Sequence, residues 1–273
     1  MSEVRVTRLI CGAASPPAGA FPGSGGTVRR GRVRLNVSVF LAELPGHGPI
    51  LVDAGWGREI CPGGEYDRRA ALGRLPARLA DFWRPETPPE MAPAEQLARR
   101  GIRPGDLEAV ILTTLEPDHA AGLRELADAR RILIPEMEKY WSCRTVYALR
   151  QPRSLWESLN PEPFFFRGRK DGPVDRAAAP LGDEGLIAVS TPGYTEGLCA
   201  VEIRSPSGKF ALIQSDLALS AAALETGEVP KTGFSREFQR RALRWLAERA
   251  ADPACAGVFY GHGPAAEPSE LVF

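Results

Sequence analysis

Ile111-Leu-Thr-Thr-Leu-Glu-Pro-Asp-His-Ala-Ala-Gly-Leu123 runs from a β-forming stretch into a helix-forming one, with Asp118 and His119 at the junction. Polar residues placed just past strand ends collect at one rim of a sheet, where loops are free to carry function. Imidazole beside carboxylate is also a donor pair that suits a borderline divalent ion. The placement recurs downstream. Asp216 closes the strand-like Phe210-Ala-Leu-Ile-Gln-Ser-Asp216, and His262 follows Gly257-Val-Phe-Tyr260 between two glycines. Only three histidines exist in the chain, so two of them at such positions is informative. Taken singly, Asp118 also reads as a helix cap, His119 as a surface histidine and Asp216 as a turn residue.

Outward from this stretch the periodicities predict strands over 4–11 and 33–44. The Pro45-Gly-His-Gly-Pro49 turn then leads into Ile50-Leu-Val-Asp53, an antiparallel hairpin ending at Asp53-Ala-Gly55. A Gly/Pro/Ser-rich loop is expected over 12–27. Helices are expected over 93–101, 118–129 and 136–141, and strands over 107–113 and 132–134. Beyond them lie β segments at 186–191, 199–205, 209–215 and 257–260. An amphipathic helix spans 235–250, capped by Ser235, with Phe238, Ala242, Trp245, Leu246 and Ala250 on one side. Residues 142–183 lose periodicity and read as a lid or insertion. Their aromatics Trp156, Phe164, Phe165 and Phe166, with Trp141, are placed either to line an apolar acyl pocket or to fill core. Two β-rich halves, each followed by helices, give an α+β αββα sandwich of two mixed sheets in one domain over 1–273.

Composition narrows the function classes. There are 34 basic and 34 acidic residues and no Lys/Arg cluster, so no nucleic-acid partner is expected. Arg240, Arg241 and Arg244 interleave with apolar residues and read as a solvated helix face. No apolar run approaches the ~20 residues of a membrane span, and the start alternates unlike a signal peptide. Five scattered cysteines without a CxxC pair suit reduced thiols, so a cytoplasmic location is expected, with monomer and homodimer both open.

Leu112-Thr-Thr-Leu-Glu-Pro-Asp-His-Ala-Ala-Gly-Leu resembles the signature of the metallo-β-lactamase superfamily, a Thr followed by HxHxDH and Gly-Leu. Thr191-Pro-Gly-Tyr-Thr-Glu-Gly197 resembles its TPGHTxG segment and Gln214-Ser-Asp216 its strand-end Gly-Asp. Tyr260-Gly-His262 is similar to its last histidine, and Ile50-Leu-Val-Asp-Ala-Gly55 to its early hairpin. The five segments stand in the family's order over residues 33–263, and the layout resembles the lactonase-like branch that opens acyl-homoserine lactones. The departures are equally specific. The family's first two histidines fall on Thr114 and Glu116, and the TPGH histidine falls on Tyr194. The resemblance thus implies an intact second metal site, Asp118, His119, Asp216 and His262. The first site keeps only Glu116, Tyr194 and the shared Asp216.

What the resemblance implies is a metal-dependent hydrolase that opens an activated ester, such as a lactone or thioester, by a metal-bound hydroxide. The site is expected to hold one divalent ion, zinc ahead of iron or manganese. Asp118 would orient the water, and Tyr194 or Glu116 would donate or accept a proton. The substrate would be a small molecule with an apolar acyl chain. Two other classes stay open. Glutamate at the second motif position also occurs in the flavodiiron branch, whose motif is HxExDH, so a non-hydrolytic iron enzyme using Glu116 and Tyr194 is one. That branch keeps the leading and TPGH histidines, which this chain lacks. The loss of three histidines supports the other, a non-catalytic binding protein.

Overall fold

The computed structural model describes residues 3–21, 31–144, 147, 149–167, 169–263 and 269–273. The loop expected over 12–27 falls partly outside them. Twelve strands are β1 (Arg5–Ala14), β2 (Leu35–Glu43), β3 (Ile50–Val52), β4 (Ala109–Ile111), β5 (Ile132–Pro135), β6 (Glu162–Phe164), β7 (Ala177–Ala178), β8 (Leu186–Ser190), β9 (Cys199–Arg204), β10 (Phe210–Ile213), β11 (Cys255–Phe259) and β12 (Glu270–Val272). Seven form one sheet in the order β12-β1-β2-β3-β4-β5-β6, and five form the other, β11-β10-β9-β8-β7.

Both sheets are mixed. β1, β2 and β3 pair antiparallel, whereas β3 to β6 pair parallel; in the second sheet only β10 and β11 are parallel. Alternation along each strand divides its side chains between two layers. Phe40, Val52, Ile111 and Leu133 from the large sheet meet Val201, Ile203, Ile213 and Phe259 from the small one. The outward residues Leu41, Leu51, Val110, Ala200 and Leu212 pack under the helices. The helices are α1 (Arg68–Leu72), α2 (Ala77–Trp83), α3 (Pro93–Ala98), α4 (Pro117–Ala120), α5 (Glu136–Ser142), α6 (Ala221–Thr226) and α7 (Arg236–Ala250). Two mixed sheets face to face with helices outside make the αββα sandwich.

The differences from the sequence expectation have physical causes. The helix expected over 118–129 is a single α turn followed by a 3-10 segment, Ala121–Leu126. Gly122 is pressed against the backbone of the β3 hairpin, and a Cβ there would overlap the Ala54 carbonyl oxygen. On α7 the buried face is Gln239, Ala242, Leu243 and Leu246; Phe238 is exposed and stacks on Phe234. Ser235 caps the helix by accepting from the Phe238 N–H at 3.3 Å, and Arg240, Arg241 and Arg244 are exposed. β12, which has no clear periodicity, pairs with β1. Within 142–183 the chain supplies the edge strands β6 and β7, one to each sheet. Phe164 and Phe166 enter the inter-sheet core and Trp156 the helix-side core, whereas Phe165 is exposed and lines a cavity of about 540 Å³ with Tyr140. Among the described residues no helix is long and apolar enough to cross a membrane, and all five cysteines are unpaired.

Candidate metal centre

Parallel pairing of β3 with β4 sends both strands toward the same rim, and β10 and β11 do the same in the other sheet. β2 is antiparallel to β3, so its first residues reach that rim too. The chain leaving β4 carries Asp118 and His119 on α4; Asp216 follows β10, and His262 follows β11. All four are buried. Residues up to 144 positions apart therefore meet in one cluster. Ligand atoms of Asp118, His119 and His262 lie within 4.8 Å of one another. Asp216 Oδ1 sits 3.4 Å from His119 Nε2 and 3.0 Å from His262 Nε2. Asp118 Oδ2 is 3.4 Å from His262 Nε2 and 3.8 Å from His119 Nε2.

The imidazoles are aimed from behind. His119 Nδ1 lies 2.8 Å from Asp53 Oδ2, and His262 Nδ1 lies 2.8 Å from the Asn36 carbonyl oxygen. An Nδ1–H donated to each acceptor leaves both Nε2 atoms as lone-pair donors facing inward, the arrangement of a histidine ligand. Asp53 is itself locked, accepting from the Thr113 N–H at 2.8 Å and the Thr113 hydroxyl at 2.9 Å. Asp53 and Ser215 both hold left-handed φ, 64° and 56°, an uncommon conformation for non-glycine residues that recurs at functional sites. Asp53 was legible as a strand-end residue of the hairpin, but its service to His119 was not.

Electrostatics in the cluster follow from burial and proximity. Burial alone would lower the pKa of His119; Asp53, Asp216 and Asp118 outweigh it and raise it well above the usual value. Burial likewise works against ionised Asp216, yet His119 and His262 hold its carboxyl far below the ordinary range. At Asp118 burial wins, and the carboxyl is raised.

Both oxygens of Asp118, both of Asp216 and the Nε2 atoms of His119 and His262 are buried without a hydrogen-bond partner. Even the 3.0 Å approach of His262 to Asp216 lacks the alignment of a hydrogen bond. Six convergent buried polar atoms would be costly to leave unmatched. Two imidazoles and two carboxylates fit a divalent ion such as zinc.

The positions that the sequence resemblance assigns to a first metal are bonded differently. Thr114 donates its hydroxyl to Glu138 Oε2 at 2.8 Å. Glu116 pairs with the Arg150 guanidinium, which also lies over the Tyr194 ring, 4.5 Å from its centroid. Arg150 Nη1 donates to the Thr232 carbonyl at 2.7 Å. Burial pushes the Glu116 carboxyl up to about 7 despite Arg150, and raises Tyr194 well above the usual phenol. Behind them Glu138, 1% exposed, accepts from the Leu115 and Gly197 N–H groups and from Thr114, Gln151 and Thr195. It ties the β4–α4 loop to the segment Thr191–Gly197. Gly197 is needed there, since a Cβ would overlap Glu138.

Residues 32–213 match the metallo-beta-lactamase superfamily. The chain belongs to that family. Among its relatives, the N-acyl homoserine lactonase AttM of Rhizobium radiobacter is 24% identical over 238 residues, 84% of this chain and 82% of that protein. A probable metallo-hydrolase of Mycobacterium bovis is 27% identical over 216 residues, covering 73% of this chain and 64% of that one. A solved N-acyl homoserine lactone hydrolase, with the product N-hexanoyl-L-homoserine bound at its catalytic metal centre, superposes with a TM-score of 0.73. It is 20% identical, covering 96% of this chain and 94% of its own. Within the metallo-β-lactamase fold, this chain gathers Asp118, His119, Asp216 and His262 into one buried cluster.

Proposed function

We propose that this chain is a metal-dependent hydrolase of activated esters, a lactone or a thioester, working with one metal ion held by Asp118, His119, Asp216 and His262. The observation that carries the reading is the set of six partnerless buried polar atoms on those four residues. The named activities of AttM and of the superposed lactone hydrolase support the same bond class. A divalent ion in such a donor set supplies Lewis acidity and lowers the pKa of water toward neutrality. Asp53 and the Asn36 carbonyl hold the imidazole tautomers that such a donor set needs. Zinc suits the donors best, with iron or manganese also compatible. The free cysteines suit a reducing compartment, the cytoplasm.

Arg150 supports a count of one. A guanidinium is permanently charged, and it already occupies Glu116 and covers Tyr194. Glu116 and Tyr194 can serve as iron ligands only if Arg150 leaves, so the non-hydrolytic reading is the weaker one. Elemental analysis of protein purified without added metal, with rates on a panel of lactones, thioesters and amides, tests the proposal. One metal per chain with turnover of lactones or thioesters, and none of amides, is expected. Two tightly held metals with iron-dependent oxidation and no ester turnover would overturn it.

A further inference from the structure

The guanidinium of Arg150 has one donor group left over. Nε serves Glu116 and Nη1 serves Thr232, whereas Nη2 is buried with no hydrogen-bond partner. An orphaned N–H on a charged group is costly, and a native structure retains one chiefly where something else completes it. Arg150 also lines a cavity of about 310 Å³, whose other walls include Leu79, Phe82, Trp83, Glu116 and Tyr194. That volume lies at the lower end of small-molecule pockets. Its chemistry is lopsided. α2 supplies an apolar face, Leu79, Phe82 and Trp83, with the exposed and solvated Arg78 beside it. The polar wall is the Glu116–Arg150–Tyr194 group, and Glu116 is two residues from Asp118.

Glu116 already offsets the charge of Arg150, so the remaining donor matches a neutral acceptor better than a second anion. A carbonyl oxygen on an alkyl chain fits both walls. We propose that Arg150 is a carbonyl-anchoring residue: its Nη2 donates to a carbonyl oxygen of an acyl-bearing substrate whose chain lies against Leu79, Phe82 and Trp83. It pairs with Glu116 and covers the ring of Tyr194, two of the residues that the resemblance assigns to a first metal. The inference rests on the hydrolase reading for its meaning in catalysis, but the binding it describes needs no turnover.

The test uses the metal-loaded protein and 2-octanone labelled with carbon-13 at the carbonyl, a ligand that accepts a hydrogen bond and cannot be hydrolysed. Bound to the unmodified protein, its carbonyl stretch should fall below its position in an apolar solvent. With Arg150→Met the band should return to the apolar position and affinity should drop about tenfold, the size of a hydrogen bond to a charged donor. Arg150→Lys should restore part of both. An unshifted band in the unmodified protein, no saturable binding, or identical spectra in Arg150→Met would each overturn the proposal. An unshifted band in the unmodified protein overturns it even if the methionine variant fails to fold, and a shift that persists in Arg150→Lys at full size would assign the band to the metal or to Tyr194 instead. Absence of ester turnover with these spectra intact would sink the hydrolase reading alone.

Discussion

The two halves of the rim differ in what their polar atoms are already doing. Around His119 and His262, six polar atoms converge with nothing to bond. Around Thr114 and Glu116, the chain has filled the equivalent valences itself. Glu138 takes the threonine, and Arg150 takes the glutamate and covers the Tyr194 ring. Residue types alone would call Glu116 and Tyr194 possible ligands. Their bonding shows a half already closed by an internal ion pair. Capacity to bind a metal is therefore better read from unsatisfied atoms than from a roll of donors.

The hardest way to break that comparison is to remove one residue from each half. His262→Ala deletes one of two imidazole donors and should abolish metal retention through gel filtration, with ester turnover falling to background. Glu116→Gln should leave the metal content at its original value. Equal metal loss in the two variants, measured by elemental analysis, would show that both halves bind.

A second break concerns Glu138, the carboxylate that holds the altered half together. Glu138→Ala would leave the buried donors of Thr114, Leu115, Gln151, Thr195 and Gly197 without their acceptor. At roughly 1–3 kcal/mol per unsatisfied buried group, with some recovered by entering water, the loss should be at least about 3 kcal/mol. That corresponds to a Tm drop of roughly 6–12 °C. A variant that melts within a degree or two of the parent would mean the loop is held by its backbone alone.

Glu138 and Arg150 also mark the limit of what the sequence reveals. The β2–β3 hairpin, the strands β8 to β10 and the Ser235 cap are legible because each signal is local: alternation, a Gly/Pro turn, a hydroxyl before a helix. Asp118, His119, Asp216 and His262 are legible because each follows a β segment in a recognisable order. Glu138 sits in a short helix among charged residues, and its partners lie 13 to 59 positions away. Arg150 lies in the stretch without periodicity, 34 positions from Glu116 and 82 from Thr232. Nothing nearby in the chain distinguishes it from the other arginines of that region. β12 is similar, since its pairing with β1 joins the chain's two ends.

A sharper test of the intact half is Asp53→Asn. The side chain keeps its size, and an amide oxygen can still accept from Thr113, but the carboxylate behind His119 is gone. Loss of such a partner typically costs 10–100-fold in metal affinity. Competition with a chromogenic chelator should show a shift in that range, and at the same free metal the loaded protein should lose about 1–3 kcal/mol of stability, the size of the lost binding. No shift would mean that the Nε2 atoms are aimed by packing and not by this hydrogen bond.

His47 supplies the smallest test, as the one histidine with both nitrogens already engaged. It stands in the β2–β3 turn, at the end of the sheet opposite the rim. Nδ1 lies 2.9 Å from Glu108 Oε1, and Nε2 lies 2.7 Å from Asp183 Oδ2. Partial burial would lower its pKa, but hydrogen bonds to Glu108 and Asp183 outweigh that and raise it. A histidine whose pKa is raised on folding stabilises the fold fully below its unfolded value of ~6.5. That contribution fades as pH climbs through the folded value. His47→Gln should therefore cost up to about 1 kcal/mol near pH 5.5, solvent screening keeping it small, and almost nothing at pH 9. Urea melts at the two pH values read the difference. A cost that persists at pH 9 would assign it to packing in the turn, and His47 would then say nothing about filled valences. Metal content should stay at the parent's value at either pH, because neither nitrogen is free to bind.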